Sequence, residues 1–294
     1  MSSRTIISIL AFLIVSTGIM LVNVLLSAAA PPIAAASTPN QDRYAAFSAV
    51  VARHQAMSDR VTEISRRLRV ANAPLCEVTQ LDAGLITHEL TDYPEPLRPL
   101  ALHFMDLGEE GRFIRSIVPG SPADRTEMKV GDQIVSGWPI SAQSDLVTTR
   151  GAYPVEAEEA CVAPTFVVDS TLPNASTDGR EIILTTAVVE QVADDTSLAF
   201  IIAHEMGHIL RAHSVDGPRW TAELEADTDA LTLMRNADYD INRAVSDWEA
   251  SVEAHRMSQS MSATHPPISI RLRFLQAALD RLEAQPEGFL LLEE

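Results

Sequence analysis

Five consecutive residues in the second half of the chain carry two histidines and a glutamate in a spacing that suits a metal ion: His204-Glu205-Met206-Gly207-His208. In a helix, residues four apart lie on one face, about one turn from each other, so both imidazole rings can reach a single zinc ion. Glu205 lies beside the first ring, where its carboxylate can take a proton from water. The pattern predicts hydrolytic zinc chemistry. Because it also arises by chance, the residues that follow it matter.

An acidic segment follows a few turns later: Glu223-Leu224-Glu225-Ala226-Asp227. A catalytic zinc takes three protein ligands and keeps one position open, and two histidines with a glutamate are a common set. Glu223 can supply the third ligand from a second helix. Asp227 lies one turn further on the same face, where it can accept a hydrogen bond from the far nitrogen of a ligand histidine and fix its tautomer. Glu225 points to another face. The alternative interpretation is an acidic helix face in solvent.

The elements that must position these side chains are strands followed by helices. Asp194 and Asp195 are expected to cap the first helix, which carries both histidines. Apolar periodicity and breaking residues predict strands at Thr165–Asp169 and Glu181–Thr186, and helices at Thr196–His213, Thr221–Arg235, Ile241–His255 and Ile270–Glu283.

Together the two motif segments resemble the HtpX and CAAX-prenyl-protease type of zinc metallopeptidase. The resemblance rests on H-E-x-G-H, the histidine at 213 and the E-x-x-A-D run, and it extends from about Val162 to Leu282. It implies one Zn²⁺ per chain and protein or peptide substrates. By position, the metal ligands are His204, His208 and Glu223, and the general base is Glu205. A structural role is expected for His213, because it lies off the metal-facing stripe of the helix.

Two further segments share this resemblance. Asn174 and Ala175 precede a predicted strand, where an extended peptide substrate is expected to add as a further strand. Near the C-terminus, Thr264-His265-Pro266-Pro267 is followed by Arg271. His265 is expected near the zinc, either as a donor to the oxyanion of the transition state or as a lid on the open zinc position. A turn residue is the third interpretation of His265, and Arg271 is the alternative donor.

Residues 97–144 resemble bacterial PDZ domains. A strand leads into the turn Gly120-Ser121-Pro122-Ala123, a short helix is expected to follow, and the turn Gly131-Asp132 precedes an apolar strand. Two positions depart from that family: Glu127 replaces a glycine, and Gly137-Trp138-Pro139 replaces an Asn-Gly turn. These departures bear on peptide binding more than on the fold. The resemblance implies recognition of a substrate or partner, and an unrelated small β domain is the alternative.

The length, composition and charge limit the number of domains and the kinds of partner that the protein can have. The chain has 294 residues, enough for two modest domains, and its hydrophobic content of 46% is ordinary for a globular protein. The formal net charge of −18 repels phosphate backbones and anionic lipid head groups, so a nucleic-acid partner is not expected. The sequence leaves the oligomeric state open.

An apolar segment near the N-terminus predicts export. The residues from Ile6 to Leu26 carry no charge, and as a helix they would extend about 32 Å, close to the hydrocarbon thickness of a bilayer. The expectation for residues 1–36 is an uncleaved transmembrane anchor, with a cleaved signal peptide as the alternative. Arg4 precedes the segment, and the next charge is Asp42. The body is therefore expected in the periplasm, held by a single pass through the inner membrane or released.

A long amphipathic helix is predicted within residues 37–75, from Asn40 to Ala71. Its arginines at positions 60, 66, 67 and 69 fall on the other faces of the helix. The stripe recurs at steps of three and four residues: Phe47, Val50, His54, Met57, Val61, Ile64 and Leu68. Packing on the domain that carries the histidines is expected, with a dimeric coiled coil as the alternative.

The two cysteines, Cys76 and Cys161, bracket the PDZ-like segment. In an oxidising compartment their placement suits a disulfide that closes the base of an inserted domain. In a reducing compartment they would be two separate buried thiols. The export signal favours the disulfide.

The sequence therefore predicts an α+β protein in which the amphipathic helix of residues 37–75 joins three further parts. A mainly helical zinc-metallopeptidase domain with a small β-sheet occupies 161–294, a β-rich PDZ-like domain with linkers occupies 76–160, and a transmembrane or signal helix precedes both. The resemblance implies hydrolysis of peptide bonds in misfolded or membrane-associated envelope proteins. A PDZ-based adaptor or chaperone-like factor with a latent or structural metal site is the alternative. Glu205 separates the two, because a structural zinc takes four ligands and needs no base.

Overall fold

The computed structural model describes residues 39–141, 145–192, 194–213, 220–254 and 266–285. The apolar segment from Ile6 to Leu26 and the residue His265 lie outside these ranges. Within them, none of the helices combines the length and the apolar character that crossing a membrane requires.

The described residues form an α+β fold with seven α-helices and ten β-strands. The helices are α1 (Pro39–Ala71), α2 (Arg98–Phe104), α3 (Thr186–Gln191), α4 (Asp195–Leu210), α5 (Trp220–Asn236), α6 (Ile241–Ala254) and α7 (Ile268–Glu283). The strands are β1 (Thr79–Asp82), β2 (Leu85–His88), β3 (Arg112–Ile117), β4 (Gln133–Ser136), β5 (Leu146–Thr148), β6 (Gly151–Tyr153), β7 (Glu158–Cys161), β8 (Thr165–Val168), β9 (Ala175–Thr177) and β10 (Ile182–Thr185).

The long helix α1 packs on the chain through the C-terminal half of its apolar stripe. Val61, Ile64 and Leu68 are buried in a core that also includes residues of β8 and α4. These positions are therefore used within the chain, as the packing interpretation predicted. Val50 is half exposed and lies outside this core, so the predicted packing on the histidine-bearing domain is wrong at this position.

Two arginines of α1 are buried, contrary to the prediction that they lie on its outer faces. The guanidinium of Arg66 donates to Asp82 (Nε–Oδ1 2.8 Å) and to Glu158. Arg69 donates to the same aspartate (Nη2–Oδ2 3.0 Å) and to the carbonyl oxygen of Cys161 (2.9 Å). The helical pattern alone predicts that the arginine side chains of α1 point into solvent. Here β1 and β7 supply the carboxylates that make burial of both cations tolerable.

The segment between α1 and β8 leaves the helical core and returns to it at the same point, where β1 lies beside β7. β1 and β7 pair antiparallel, with Thr79 opposite Cys161. Cys76 and Cys161 are joined in a disulfide, with Cα atoms 5.6 Å apart and a sequence separation of 85. Cys161 is fully buried, and Cys76 packs against the same core.

Removing this disulfide is expected to lower the free energy of unfolding by on the order of 4 kcal/mol, because a bond that closes so long a loop restricts the unfolded chain. The double variant Cys76→Ala/Cys161→Ala and the wild type would be unfolded in urea under oxidising conditions. Wild type treated with a reductant is the control that changes no side chain. Equal midpoints in all three samples, or two free thiols in the purified protein by non-reducing mass spectrometry, would contradict this expectation.

The inserted segment forms a five-stranded antiparallel sheet in the order β2-β3-β4-β5-β6. Gly131 has a φ of 84° in the tight turn before β4, a left-handed conformation that glycine adopts without a steric penalty. The sheet has a small core of its own, separate from the helical core: Ala83, Ile114, Ala123, Met128, Ile134 and Leu146.

The short helix expected after Ala123 is not formed, and residues 122–125 are turns. The N–H of Thr126 donates to the carbonyl oxygen of Ala123 (3.0 Å), and the N–H of Asp124 donates to the Ser121 hydroxyl (3.3 Å). These bonds close over three residues, whereas an α-helix closes over four. Residues 137–141, which follow β4, are also non-helical. The PDZ-like assignment therefore stays a prediction.

A second, three-stranded sheet supports the helix that carries the histidines. Its order is β8-β10-β9, with β8 parallel and β9 antiparallel to the central strand. α4 contacts β9 and β10 and packs along α5 and α6. The large side chains that are fully buried in this region are Ile182, Leu184, Leu198, Ile202, Met206, Leu231, Leu233, Met234 and Leu275. This core fixes α4 and α5 relative to each other.

Candidate metal centre

α4 holds its two histidines in place because it starts at a well-capped end and then runs through the core. The carboxylate of Asp194 accepts hydrogen bonds from the N–H groups of Thr196 (2.9 Å) and Ser197 (3.3 Å). These bonds satisfy two of the donors that a helix start leaves open. From residue 198 to residue 207, all positions but one are buried. Core packing therefore surrounds the turn that carries His204.

A close approach of α4 and α5 brings the acidic segment to the histidines. A Cβ atom on Gly207 would lie 3.3 Å from the Cα of Ala226 and from the Cβ of Asp229. Glycine therefore permits a backbone contact that a larger residue would obstruct. Arg211 and Asp229 tie the two helices again through a bidentate ion pair, at 2.7 and 2.8 Å. Glu223 lies about one turn before Ala226 and faces α4 for this reason.

Three donor groups converge between the two helices. The Nε2 atoms of His204 and His208 lie 3.2 Å apart. Each carboxylate oxygen of Glu223 lies 3.6 Å from one of these nitrogens. One ligand atom from each residue falls within 4.8 Å of the others. Ligands at about 2.0–2.1 Å from a tetrahedral zinc are about 3.3 Å from one another, so the three side chains fit a zinc ion.

Behind His204 lies a buried carboxylate with its own cation. Nδ1 of His204 lies 2.9 Å from Oδ1 of Asp227 and donates to it. Arg271 donates to both oxygens of that aspartate, from Nε at 2.7 Å and from Nη2 at 2.6 Å. The ring of Trp248 lies 5.0 Å from the guanidinium carbon. With its proton on Nδ1, His204 presents Nε2 to the other ligands.

The charges around the site set how its groups are protonated. Burial raises the pKa of Asp227, but the hydrogen bonds from Arg271 and His204 outweigh burial and hold that pKa below its usual value. Burial lowers the pKa of His204, but Asp227 and Glu223 outweigh it and raise the pKa to about 9. Burial and the neighbouring His204 lower the pKa of His208 to about 4. Near neutral pH and without a metal ion, His204 is therefore protonated and His208 is neutral. A bound cation would displace the extra proton of His204.

The other candidate residues of the site are placed as follows. Glu205 is buried in α4 beside the ligands. The sequence suggested Arg271 as a donor to substrate, but its guanidinium donates two hydrogen bonds to Asp227. Burial lowers the pKa of Arg271, but Asp227, followed by Glu223 and Glu205, raises it above its usual value. His265 lies outside the described residues.

The candidate substrate strand lies at the edge of the smaller sheet. Ala175 opens β9 and pairs with Leu184 of β10. The N–H of Asn174 donates to the hydroxyl of Thr185 (2.9 Å), and its carbonyl oxygen accepts from the N–H of Thr185 (3.0 Å). β9 is an outer strand of this sheet and contacts α4. A further strand could pair with β9 close to the helix that carries the histidines.

The sequence did not reveal the pair between Arg271 and Asp227, nor the ring of Trp248 beside it. One signal was available: an aspartate buried behind a ligand needs a cation or several donors to remain charged. The linear sequence does not say which cation, because α7 reaches Asp227 only through the packing of the helices.

Comparison with known proteins supports a peptidase in this part of the chain. The family model described as Peptidase family M48 matches residues 157–217. The matched region runs from the start of β7 past α4, so it includes His204, Glu205 and His208 and ends before Glu223. No curated protein and no solved structure matches the chain.

Proposed function

We propose that the chain is a zinc-dependent endopeptidase that binds one zinc ion. The observation that carries this proposal is the convergence of two imidazole nitrogens, from His204 and His208, with the carboxylate of Glu223 at separations suited to one tetrahedral zinc. The match to Peptidase family M48 supports the same assignment. Three protein ligands leave a fourth position for water or substrate, which is typical of a catalytic zinc.

The residues around this position have distinct tasks in peptide hydrolysis. Bound zinc supplies Lewis acidity, which polarises the scissile carbonyl group and acidifies water. Glu205 takes the proton of the attacking water and passes it to the leaving amine. Asp227 keeps the proton of His204 on Nδ1, and Arg271 keeps Asp227 ionised.

The proposed substrate is an extended peptide that pairs with β9. Backbone pairing at a sheet edge recognises any extended segment, so its affinity depends little on side chains. The contact of β9 with α4 supports this site, because it brings a paired peptide near the histidines. Asn174 and Ala175 lie at the end of β9 where such pairing would begin. This mode suits unfolded segments of proteins.

The remaining features extend the proposal to the whole protein. The inserted sheet would recognise a substrate or partner, as its resemblance to PDZ domains implies. The apolar segment from Ile6 to Leu26 would anchor or export the protein and place the body in the periplasm. The substrates would then be envelope proteins, misfolded or associated with the membrane. The alternative of an adaptor with a structural zinc is less well supported, because a structural zinc takes a fourth protein ligand. Among the described residues, the ligand group consists of His204, His208 and Glu223.

Removing the metal tests the proposed function directly. Purified protein is expected to contain one equivalent of zinc and to cleave casein. Chelation should abolish cleavage, and one equivalent of zinc should restore it, because the chain's own residues do not replace the Lewis acid. Addition of Mg²⁺ is the control, since that ion prefers oxygen ligands and octahedral geometry. Undiminished cleavage after complete chelation would refute zinc dependence, and stoichiometric zinc without cleavage of any unfolded protein would favour the adaptor.

A further inference from the structure

The chain reverses at the end of α4 and brings the imidazole of His213 against that of His208. The N–H of His213 donates to the carbonyl oxygen of His208, and the N–H of Ala212 donates to that of Ile209, both at 3.0 Å. This pair of bonds is a Schellman motif, in which the chain reverses through a residue in the left-handed conformation. Ala212 occupies that position with a φ of 49°, although an alanine there is sterically disfavoured.

The motif usually brings two apolar side chains together, at the two positions that His208 and His213 occupy here. In this protein both side chains are imidazoles, with ring centroids 5.0 Å apart and planes at 71°. Nδ1 of His208 lies 2.9 Å from Nδ1 of His213. Nε2 of His213 lies 3.0 Å from a carboxylate oxygen of Glu225 on α5. A continuous series of hydrogen bonds therefore runs from His208 through His213 to Glu225.

We infer that His213 and Glu225 are positioning residues that hold the ring of His208 in the tautomer and orientation a zinc ligand needs. The inference rests on the proposed zinc site. If His208 binds through Nε2, its proton must lie on Nδ1, and Nδ1 of His213 must accept it. The proton of neutral His213 then lies on Nε2 and is donated to Glu225. Donation therefore runs in one direction, from His208 to His213 and from His213 to Glu225. Glu225 sets this direction because an ionised carboxylate only accepts.

The two ligand histidines are thus oriented by different means. Asp227 acts directly on His204, is fully buried and is neutralised by Arg271. His208 is reached through an intervening imidazole, and the carboxylate at the far end, on Glu225, is half exposed. Water competes for that carboxylate, so Glu225 is expected to contribute less to metal binding than His213 does.

Zinc affinity of the full-length protein, measured by competition with a chromophoric chelator, tests this inference. His213→Leu introduces the apolar side chain usual at this position of the motif and removes the acceptor, and it should weaken zinc binding by about 10–100-fold. His213→Asn places an amide oxygen where Nδ1 lay and should restore most of the affinity. Glu225→Ala should weaken binding by about tenfold, a measurable loss that is smaller than that of His213→Leu. Glu190→Ala, which removes an exposed carboxylate paired with Arg53, should have no effect.

Thermal unfolding of the metal-free variants separates positioning from a structural role. A purely structural His213 would lower the unfolding temperature of His213→Leu and leave the zinc affinity of the folded protein unchanged, which would overturn the inference. Equal weakening in His213→Leu and His213→Asn would also overturn it. If His213→Leu does not fold, an unchanged affinity in Glu225→Ala, whose side chain is half exposed, would refute the series. His208→Ala should lose zinc outright. If it retains stoichiometric zinc, the proposed site itself is wrong.

Discussion

Replacing Glu205 with glutamine is expected to lower the rate of peptide hydrolysis by about 10²–10⁴-fold and to leave the zinc content unchanged. The substitution exchanges one carboxylate oxygen for an amide nitrogen, so it preserves the volume of a buried side chain. It removes the only property on which the proposed role depends, the capacity to take a proton from water. The metal ligands keep their positions, because they lie on other residues of α4 and on α5.

The measurement is casein cleavage at equal zinc loading, combined with metal analysis and urea unfolding. Glu190→Gln is the matched control, since it makes the same chemical change at an exposed carboxylate that pairs with Arg53. Hydrolysis near the wild-type rate in Glu205→Gln would eliminate Glu205 as the base. A parallel loss of zinc would instead indicate that Glu205 supports the ligands.

Replacing Arg271 with methionine is expected to lower the free energy of unfolding of the metal-free protein by about 3–5 kcal/mol, because it leaves a buried carboxylate without its cation. The side chain of Asp227 is fully buried and that of Arg271 nearly so. Methionine retains much of the volume of the arginine stem, so the loss reflects the charge more than a cavity. Zinc affinity should fall as well, because Asp227 orients His204.

The pH chosen for this experiment follows from the direction in which the pKa of Asp227 moves. Its pKa in the folded protein lies below its usual value, since Arg271 and His204 outweigh the effect of burial. The contribution of the ionised aspartate is therefore fully present above the unfolded pKa of about 3.9 and is lost as the pH falls through the folded pKa. Urea unfolding at pH 7 captures the whole effect, and the difference between wild type and Arg271→Met should shrink in strong acid.

Arg211→Met is the matched control for Arg271→Met. Arg211 also forms a bidentate pair with a buried aspartate of α5, Asp229. That aspartate packs beside Gly207, whereas Asp227 bonds a ligand ring. Both variants should be destabilised, but Arg271→Met should show the larger loss of zinc affinity. Equal zinc affinity in the two variants would show that Arg271 stabilises the fold without acting on the metal site.

The sequence predicted most of the elements of residues 161–294 well. Two strands and four helices are confirmed to within a few residues, since β8, β10 and α4 to α7 lie where periodicity and capping placed them, whereas β9 and the short helix α3 were not predicted. The N-cap at Asp194 is confirmed by its two hydrogen bonds. Such features depend on residues close in sequence, and for that reason local patterns reveal them.

The contacts between distant elements could not be predicted in this way. Arg66 and Arg69 read as solvent-facing on a helical wheel, and only β1 and β7 make their burial tolerable. The turns at residues 122–125 replaced an expected helix, because the Ser121 and Thr126 side chains form local hydrogen bonds there. Helical spacing set His213 aside because it assumes that the helix continues, whereas α4 ends at Leu210 and reverses at Ala212.

The disulfide at the base of the inserted sheet has a consequence for modularity. Its two Cα atoms lie 5.6 Å apart, a gap that a linker of two or three residues could span. β1 and β7 must stay, because Asp82 and Glu158 pair with the buried Arg66 and Arg69. The residues that connect these two strands could be shortened, lengthened or exchanged for another module while α4 and α5 stay in register. α1 cannot be exchanged in the same way, because Val61, Ile64 and Leu68 belong to the core that holds the histidines. The peptidase-like unit is therefore a discontinuous module, completed by a helix that precedes the insertion.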